Sequence, residues 1–383
     1  MSVSASFSFP TPILFGVGAL AELPARLAHL GVNRPLVVTD LGLLTTSAYK
    51  KLVLVLGQLT QGWALFSDVH PNPTETDVIN GAAMYQRESC DGVIAFGGGS
   101  ALDVGKAIRL LIKRPELNLA EFDWRESWAG LAPCVCIPTT AGTGSEVGRS
   151  SVIIIEKTRR KAVLFNPALL AALVVLDPEL TVDLPPKLTA ATGADALTHC
   201  IESFTSPQFH PLCDGIALEG IHLGVKALPI AVRDPHNLEA RGIMLMVAAM
   251  GAIAFQKDLG ATHSLAHPLS TVCGLHHGLA NALCLPVVMR FNSKSKPGLY
   301  RRVGLACGLN LVHVSDSEAD RETISFIANL LVEIGIAPGL RAFGVTEAHV
   351  DEMTPQAFAD GCHQTNPSPV TADDLRSLYL QAL

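Results

Sequence analysis

The sequence predicts an α/β N-terminal dinucleotide-binding domain with a parallel sheet, followed by an all-α C-terminal domain. In the first half, short runs of β-branched residues alternate with helical patterns, which is typical of a parallel sheet covered on both faces. After the double proline at 185–186, the strand-like runs stop and long helical patterns take over. A chain of 383 residues also exceeds one ordinary hydrophobic core. We therefore expect two domains, at residues 1–184 and 185–383.

Each predicted element follows from its hydrophobic period and from the residues that bound it. The predicted strands are 34–40, 91–100, 132–140, 150–156 and 169–180. Helical patterns occupy 43–57 and 75–89 between the first two strands. The C-terminal domain is predicted to contain helices at 188–204, 213–228, 238–257, 260–271, 277–291, 317–335 and 371–382. Because Pro268 interrupts the fourth of these, that helix is expected to start late or to kink.

Composition excludes several classes of protein. Hydrophobic residues make up 49% of the chain and charged residues 16%, which favours a folded globular protein. The net charge is −7, with 35 acidic and 28 basic residues, and no basic run indicates nucleic acid or a membrane as a partner. Nine scattered cysteines without a CxxC pair favour a reduced, cytoplasmic protein. No secretion signal is recognised at the start, and the longest apolar stretch, 243–255, is too short to span a bilayer.

Glycines join a predicted strand to a predicted helix in VIAFGGGSALDVGKAI, residues 93–108. Such a turn lets backbone approach a phosphate, and the helix start offers unpaired N–H groups. The spacing is not the GxGxxG fingerprint, and a tight turn without a ligand explains the glycines alone equally well. Two other strand ends favour a nucleotide: the loop PTTAGTGSE (138–146) and Asp40. Because a carboxylate at Asp40 could accept from ribose hydroxyls and would repel a 2′-phosphate, we expect NAD rather than NADP.

Histidines are concentrated in two short segments of the C-terminal domain. Asp195 and His199 are four residues apart on a helical stretch, as are His263 and His267, so each pair shares a helix face. The adjacent His276 and His277 point in different directions, so only one of them is expected to bind the same ion. Each ring by itself could be a hydrogen-bonded core histidine. One carboxylate with imidazoles from three segments instead indicates a divalent metal such as Fe, Zn, Co or Ni.

A nucleotide site and a partly open metal site together indicate a redox reaction. A metal bound to an alcohol oxygen acts as a Lewis acid and stabilises the alkoxide from which hydride leaves for the nicotinamide. This reaction needs no Ser–His–Asp nucleophile and no paired-carboxylate hydrolase motif. A non-enzymatic metal- or nucleotide-binding protein is the distant alternative, and it would bind NAD without turnover.

The motifs that carry this chemistry resemble those of the iron-containing (group III) alcohol dehydrogenases, nearly from end to end. They are VVTD, PNPT, GGGSALDVGKAI, PTTAGTGSEV, LPPKLTAATGADALTHCIES, HSLAHPL and HHGLANALCLPVVMRFN. The resemblance implies a dehydroquinate synthase-like architecture, with NAD and Fe²⁺ (or Zn²⁺) as cofactors. The metal ligands that it implies are Asp195, His199, His263 and His277.

The same resemblance implies further site residues. His267 matches a non-ligand histidine close to the nicotinamide, and we assign it and Lys161 catalytic roles. The implied cofactor contacts are Asp40, Asn72, Gly98, Gly99, Ser100, Asp103, Thr139, Thr140, Thr143 and Lys161. Many members of the family have asparagine where Ser150 stands, so the substrate end of the site is expected to differ here.

Within the family, CIESFTSPQFHPLCDGIALEGI and CHQTNP resemble 4-hydroxybutyrate dehydrogenases. A small primary alcohol or ω-hydroxy acid is therefore the expected substrate, with Arg149, Ser150 and Lys257 as candidate substrate residues. The segment between His267 and His277 is shorter than that subgroup leads us to expect. The alternative enzymes are a lyase-type dehydroquinate synthase relative and a maleylacetate reductase-like protein. A homodimer or larger homo-oligomer is also expected.

Overall fold

The computed structural model describes Phe9, residues 11–158 and residues 160–383. Within these residues, contacts define two compact units. The first, here called the α/β unit, contains residues up to 140 and residues 144–184. The second, the helical unit, contains residues 141–143 and 185–383.

The α/β unit is built on a parallel sheet. In the described residues its strands are β1 (Ile13–Phe15), β2 (Pro35–Val38), β3 (Ala64–Phe66), β4 (Gly92–Gly97), β5 (Cys134–Pro138), β6 (Ser150–Ile155), β7 (Arg160–Phe165) and β8 (Leu173–Leu176). Six of them pair in parallel in the order β1–β8–β5–β4–β2–β3. The central strands are buried along their whole length, as expected for a sheet covered on both faces.

Residues 150–156 were predicted to form a strand, and β6 confirms the strand. The implied position of this strand in the parallel sheet is wrong. β6 pairs with β7 antiparallel, and the two form a separate hairpin. Only residues 156–159 separate the two strands. Since a parallel connection needs a crossover of a dozen or more residues, this short turn permits only the antiparallel pairing.

Helices cover the sheet and complete the α/β unit. They are α1 (Leu23–His29), α2 (Ser47–Leu56), α3 (Glu75–Arg87) and α4 (Gly99–Lys113). Thr74 begins α3 with a capping box, in which its hydroxyl and the Asp77 carboxylate bond to each other's backbone. On one face of the sheet, Leu52 of α2 packs in a cluster with Val37 and Ile94, and all three are fully buried.

The helical unit contains the remaining helices of the described residues. They are α5 (Pro186–Thr205), α6 (Pro211–Arg233), α7 (Leu238–Ala254), α8 (Ala261–Val272), α9 (His277–Ser295), α10 (Arg301–Ala306), α11 (Asp316–Glu333), α12 (Glu347–Ala359) and α13 (Ala372–Ala382). The predicted α/β and all-α classes are thus confirmed. The late start considered for the helix around Pro268 is wrong, because α8 begins before His263 and continues past the proline.

Two helices of this unit are long and apolar enough to cross a membrane by length and composition. They are Pro211–Arg233, which is α6, and Leu238–Lys257, which extends α7 by one short turn. Both pack against α5 and against each other, and both contribute buried residues to the core of the unit. Leu228 and Leu245, for example, are fully buried. We interpret both as core helices.

Candidate active site

Three strand ends meet at one edge of the parallel sheet. Strands β2, β4 and β5 are neighbours, so the residues that follow them lie side by side. Asp40 follows β2, and its carboxylate accepts a hydrogen bond from the N–H of Leu43 at 3.2 Å. Thr139 follows β5 and is buried. The edge therefore brings together predicted residues that are far apart along the chain.

Glycines occupy the centre of this edge for a steric reason. Gly97 has φ of +145°, a backbone conformation that side chains rarely adopt, and a Cβ there would lie 2.9 Å from the Cβ of Ala101. A Cβ on Gly98 would meet the side chain of Thr140 at 3.5 Å. Helix α4 begins at Gly99, and no side chain of the described residues caps it. Its first N–H groups are therefore available to an anion.

Other predicted cofactor residues stabilise the loops around this edge. The Ser100 hydroxyl donates to the carbonyl of Pro71 at 2.6 Å, which ties the exposed Asn72 segment to the start of α4. The Asp103 carboxylate accepts from the Ser145 hydroxyl at 2.5 Å and from the N–H of Val152 at 3.0 Å. Asp103 thus connects α4 to the loop after β5 and to the β6–β7 hairpin through hydrogen bonds within the protein.

Lys161 lies on β7 and is partly buried. Burial lowers the pKa of its ammonium group, while the nearby Asp103 carboxylate acts in the opposite direction. A lysine in this environment holds its proton less firmly than an exposed one, which suits proton transfer or a bond to a hydroxyl group.

Thr143 groups with the helical unit, where the neighbouring Gly142 packs closely on Thr192 of α5.

The three candidate substrate residues differ in their surroundings. Arg149 is half-buried, and its guanidinium lies 5.4 Å from the centre of the Phe165 ring. Ser150 begins β6, and its carbonyl accepts a hydrogen bond from Lys106. Lys257 is 2% exposed and forms an ion pair with Asp214. Because its ammonium also donates to the carbonyl of Phe204 at 3.2 Å, Lys257 has internal partners and does not support the proposed substrate role.

Three of the predicted metal ligands converge in the helical unit. Ligand atoms of Asp195, His263 and His277 all lie within 4.8 Å of one another. The Nε2 of His277 is 3.7 Å from the Asp195 carboxylate. His199 stacks on His263, with ring centres 4.8 Å apart. His276 is an exposed residue before α9 and lies outside the converging set, so the structure places His277 of this pair at the site.

Close helix packing brings these side chains together. Asp195 and His199 lie one turn apart on α5, while His263 and His277 lie on α8 and at the start of α9. A Cβ on Gly278 would lie 2.2 Å from the carbonyl oxygen of Ala191. Only glycine permits that approach, so Gly278 fixes the separation between His277 and Asp195.

Asn281 is a site residue that the sequence analysis missed. Its side-chain nitrogen lies 2.7 Å from the Asp195 carboxylate, 3.2 Å from Nε2 of His263 and 3.1 Å from Nε2 of His277. The residue is fully buried. Its spacing of four residues from His277 on one helix face was a signal that could have identified it.

Glu202 is the second residue that was missed. Its carboxylate lies 2.6 Å from Nδ1 of His263 and accepts from the N–H groups of Gly260 and Thr262. A carboxylate accepts only, so Nδ1 of His263 carries the proton and Nε2 presents its lone pair to the converging set. Glu202 follows His199 by three residues on the same face of α5, which is again a helical spacing.

Asp360 is the third site residue that was missed, and its carboxylate contacts Nδ1 of His267 as that of Glu202 contacts Nδ1 of His263. Its carboxylate lies 2.7 Å from Nδ1 of His267 and accepts from the Ser264 hydroxyl and the N–H of Cys362, both at 2.9 Å. His267 stacks on His277 with ring centres 5.2 Å apart. Since Asp360 is 93 residues from His267 and follows a different helix, no local spacing indicates the pair.

The electrostatics of the cluster suit a cation. Burial alone would raise the pKa of Asp195, but the imidazoles of His199, His277 and His263 together lower it to about 2. Burial lowers the pKa of His199 to about 4 against the opposing effect of Asp195, so its ring is neutral at neutral pH. An ionised Asp195 beside a neutral His199 is the protonation state in which these two groups bind a metal. Burial by itself would lower the pKa of His263, but its bond to the Glu202 carboxylate raises that pKa overall.

Comparison with known proteins agrees with this architecture. The family model "Iron-containing alcohol dehydrogenase" matches residues 10–178, and the model "Fe-containing alcohol dehydrogenase family, C-terminal" matches residues 189–383. The chain belongs to the iron-containing alcohol dehydrogenase family. It is accordingly an oxidoreductase, and the family resemblance inferred from the sequence motifs is confirmed.

Individual relatives match over nearly the whole chain. A 4-hydroxybutyrate dehydrogenase of Cupriavidus necator is 38% identical over 97% of this chain and 98% of its own. The solved structure of a 1,3-propanediol oxidoreductase has a TM-score of 0.95 at 34% identity, covering 99% of this chain and 100% of that one. A sulfoacetaldehyde reductase from Bifidobacterium kashiwanohense, solved in complex with NAD⁺, has a TM-score of 0.89 at 30% identity, covering 100% and 99%.

Proposed function

We propose that this family member transfers hydride between NAD and a small primary alcohol or ω-hydroxy acid, with a bound divalent metal assisting. The observation that carries the proposal is the convergence of Asp195, His263 and His277, with His199 stacked beside them. Imidazoles and one carboxylate, without a cysteine thiolate, suit a catalytic site for Fe²⁺ or Zn²⁺. A divalent ion bound there would supply Lewis-acid activation of the alcohol oxygen.

The residues of the chain would bind and orient the remaining partners. Asp195, His199, His263 and His277 would hold the ion, and Glu202 and Asn281 would orient two of those ligands. His267, with Nδ1 bonded to Asp360, offers Nε2 to a polar group of the substrate or cofactor. Lys161, whose pKa is lowered by burial, would bond a hydroxyl group of the cofactor.

NAD is the proposed nucleotide because of the edge formed by β2, β4 and β5. The glycine turn and the uncapped start of α4 offer N–H groups to a diphosphate. Asp40 at the neighbouring strand end would accept from the adenosine ribose and disfavour a 2′-phosphate. The NAD⁺ complex of the similar sulfoacetaldehyde reductase supports this choice.

An ω-hydroxy acid is the proposed substrate class, with 4-hydroxybutyrate as its first candidate. The 38% identical relative is named for that compound. Arg149 is the candidate partner of the carboxylate, because a guanidinium matches two oxygens. Its guanidinium lies over the face of Phe165 and has no hydrogen bond or ion pair within the described residues. The lyase and maleylacetate reductase alternatives are not favoured, since relatives 35–38% identical over 97% of this chain are dehydrogenases of 4-hydroxybutyrate and 1,3-propanediol. A solved maleylacetate reductase that covers 100% of this chain is 24% identical, which shows the shared fold alone. A cytoplasmic location and a homodimer or larger assembly complete the proposal.

A substrate screen tests this function. Iron- and zinc-loaded protein would be assayed for NADH formation with 1-butanol, 1,3-propanediol and 4-hydroxybutyrate. Arg149→Ala should raise KM for 4-hydroxybutyrate by roughly ten- to a hundredfold and leave KM for 1-butanol within about twofold, because one charge-assisted bond is lost. Arg87→Ala, at an exposed arginine of the same unit, is the control. An equal effect on both substrates would make the protein a general alcohol dehydrogenase, and absence of NADH formation would exclude the proposal.

A further inference from the structure

Two histidines of α8 have the same arrangement, but only one has a place among the metal ligands. His263 and His267 lie one turn apart, and Nδ1 of each is within 2.6–2.7 Å of a carboxylate, Glu202 and Asp360 respectively. His263 belongs to the converging set, whereas His267 does not. Support of a ligand in this converging set therefore explains the bond between Glu202 and His263, but it does not explain the bond between Asp360 and His267.

We propose that Asp360 is a positioning residue for the reaction: it fixes the His267 ring in one orientation, with Nδ1 protonated and Nε2 free for the reacting partners. The inference rests on the proposed role of His267. A carboxylate can only accept, so the short bond assigns the proton to Nδ1. With Nδ1 held on Asp360, Nε2 of His267 points in one fixed direction, and the ring avoids the search over orientations that would slow the reaction.

Asp360 is itself held in place from the other side. Its Oδ1 accepts from the Ser264 hydroxyl and from the N–H of Cys362, while Oδ2 faces His267. Ser264 lies three residues before His267 on the same helix. Both carboxylate oxygens are thus assigned, which leaves the carboxylate little freedom to rotate away from the ring.

Two other roles for Asp360 compete with positioning. A ligand atom from each of His267, Asp360 and Cys362 falls within a 4.8 Å group, which could indicate a second metal. Burial and the neighbouring Asp360 raise the pKa of the Cys362 thiol well above its ordinary value, so a thiolate ligand is disfavoured. The other role is purely structural, since Asp360 also ties the segment after α12 to α8 through Ser264.

A set of four variants separates these roles: Asp360→Ala, Ser264→Ala, His267→Ala and the double variant Asp360→Ala/His267→Ala. Ser264→Ala removes the tie from Asp360 to α8 but leaves Oδ1 on the N–H of Cys362 and Oδ2 on His267, so it measures what that tie contributes by itself. Asp360→Asn is the second test if the alanine variant does not fold. An amide has one acceptor oxygen, so it cannot satisfy His267 and the N–H of Cys362 together.

We expect Asp360→Ala to lower kcat about 10–100-fold, as for other residues that orient catalytic groups, with KM and metal content within about twofold of the parent. Ser264→Ala should lower the melting temperature and keep kcat within about threefold. In the His267→Ala background, Asp360→Ala should have no further effect on kcat, because it acts through that ring.

Three results would overturn the inference. They are equal losses of kcat in Ser264→Ala and Asp360→Ala, additive losses in the double variant, and a second equivalent of zinc that disappears in Asp360→Ala. Full activity of His267→Ala would instead remove the proposed role of His267 itself. Loss of activity in His267→Ala together with full activity in Asp360→Ala would reject only the positioning role.

Discussion

Two glutamates among the described residues are buried, one in each unit, and their environments shift their pKa values in opposite directions. Burial raises the pKa of Glu146 in the α/β unit to about 7, and one of its carboxyl oxygens has no hydrogen-bond partner in the described residues. Burial acts in the same sense on Glu202 in the helical unit, but the bonds from His263 and Thr262 lower its pKa overall. Partners, and not burial alone, decide whether a buried carboxyl is charged.

This difference goes with the kinds of groups that each unit offers at its own candidate site. The sheet edge of the α/β unit offers backbone N–H groups, glycines and small side chains, and it needs few charges. The helical unit instead brings charged and polar side chains together, and each of its buried carboxylates has donors arranged around it. Side-chain substitutions are therefore expected to have larger effects in the helical unit than at the sheet edge.

The largest effect is expected at the converging ligands. His277→Ala should remove the metal and lower activity by more than about 100-fold, since ligands should cost more than the outer residues that orient them. Elemental analysis and NADH formation measure both effects. His276→Ala, at the neighbouring position, should retain the metal. Full metal content in His277→Ala would show that the other histidine of this pair is the ligand.

A smaller loss is expected where the ligand remains and only its support is removed. Glu202→Gln should weaken metal binding about 10–100-fold, because one amide oxygen replaces a carboxylate that accepts from three donors. Competition with a chelator measures the affinity. Glu219→Gln, at an exposed position on α6, is the control. Unchanged affinity would mean that Glu202 supports the fold alone.

The buried carboxyl of the α/β unit predicts a pH dependence of stability. Its folded pKa of about 7 exceeds the ordinary value of 4.5, so between these values only the folded state holds the proton. The free energy of unfolding should therefore fall as pH rises from about 5 to 7, by about 1–3 kcal/mol from this group. Urea unfolding of Glu146→Gln should lack this decrease, and exposed Glu116→Gln should retain it. The same slope in both variants would contradict the assignment.

The smallest effect is expected at the sheet edge. Asp40→Gly should improve kcat/KM with NADP relative to NAD by a few-fold, up to about tenfold, because a partly exposed charge acts weakly through water. Asp68→Asn, whose backbone pairs with that of Asp40, is the control. A parent protein that already prefers NADP would show that Asp40 does not select the cofactor.

Features that depend on local spacing could be predicted from the amino-acid sequence. The strand and helix periods indicated both fold classes, and pairs of residues four apart indicated Asp195 with His199 and His263 with His267. The same reasoning could have reached Glu202 and Asn281, since each lies three or four residues from a predicted ligand on one helix face. In a helix, spacing fixes direction, so these groupings follow from the chain alone.

The contacts between residues that are distant along the chain became known from the folded structure. It placed β6 with β7 in a hairpin outside the parallel sheet. The ammonium of Lys257 bonds Asp214, 43 residues away, and the imidazole of His267 bonds Asp360, 93 residues away. A charged side chain bonds whichever partner packing brings within about 3 Å, and packing depends on contacts of the whole chain. No periodic pattern in the sequence encodes that choice.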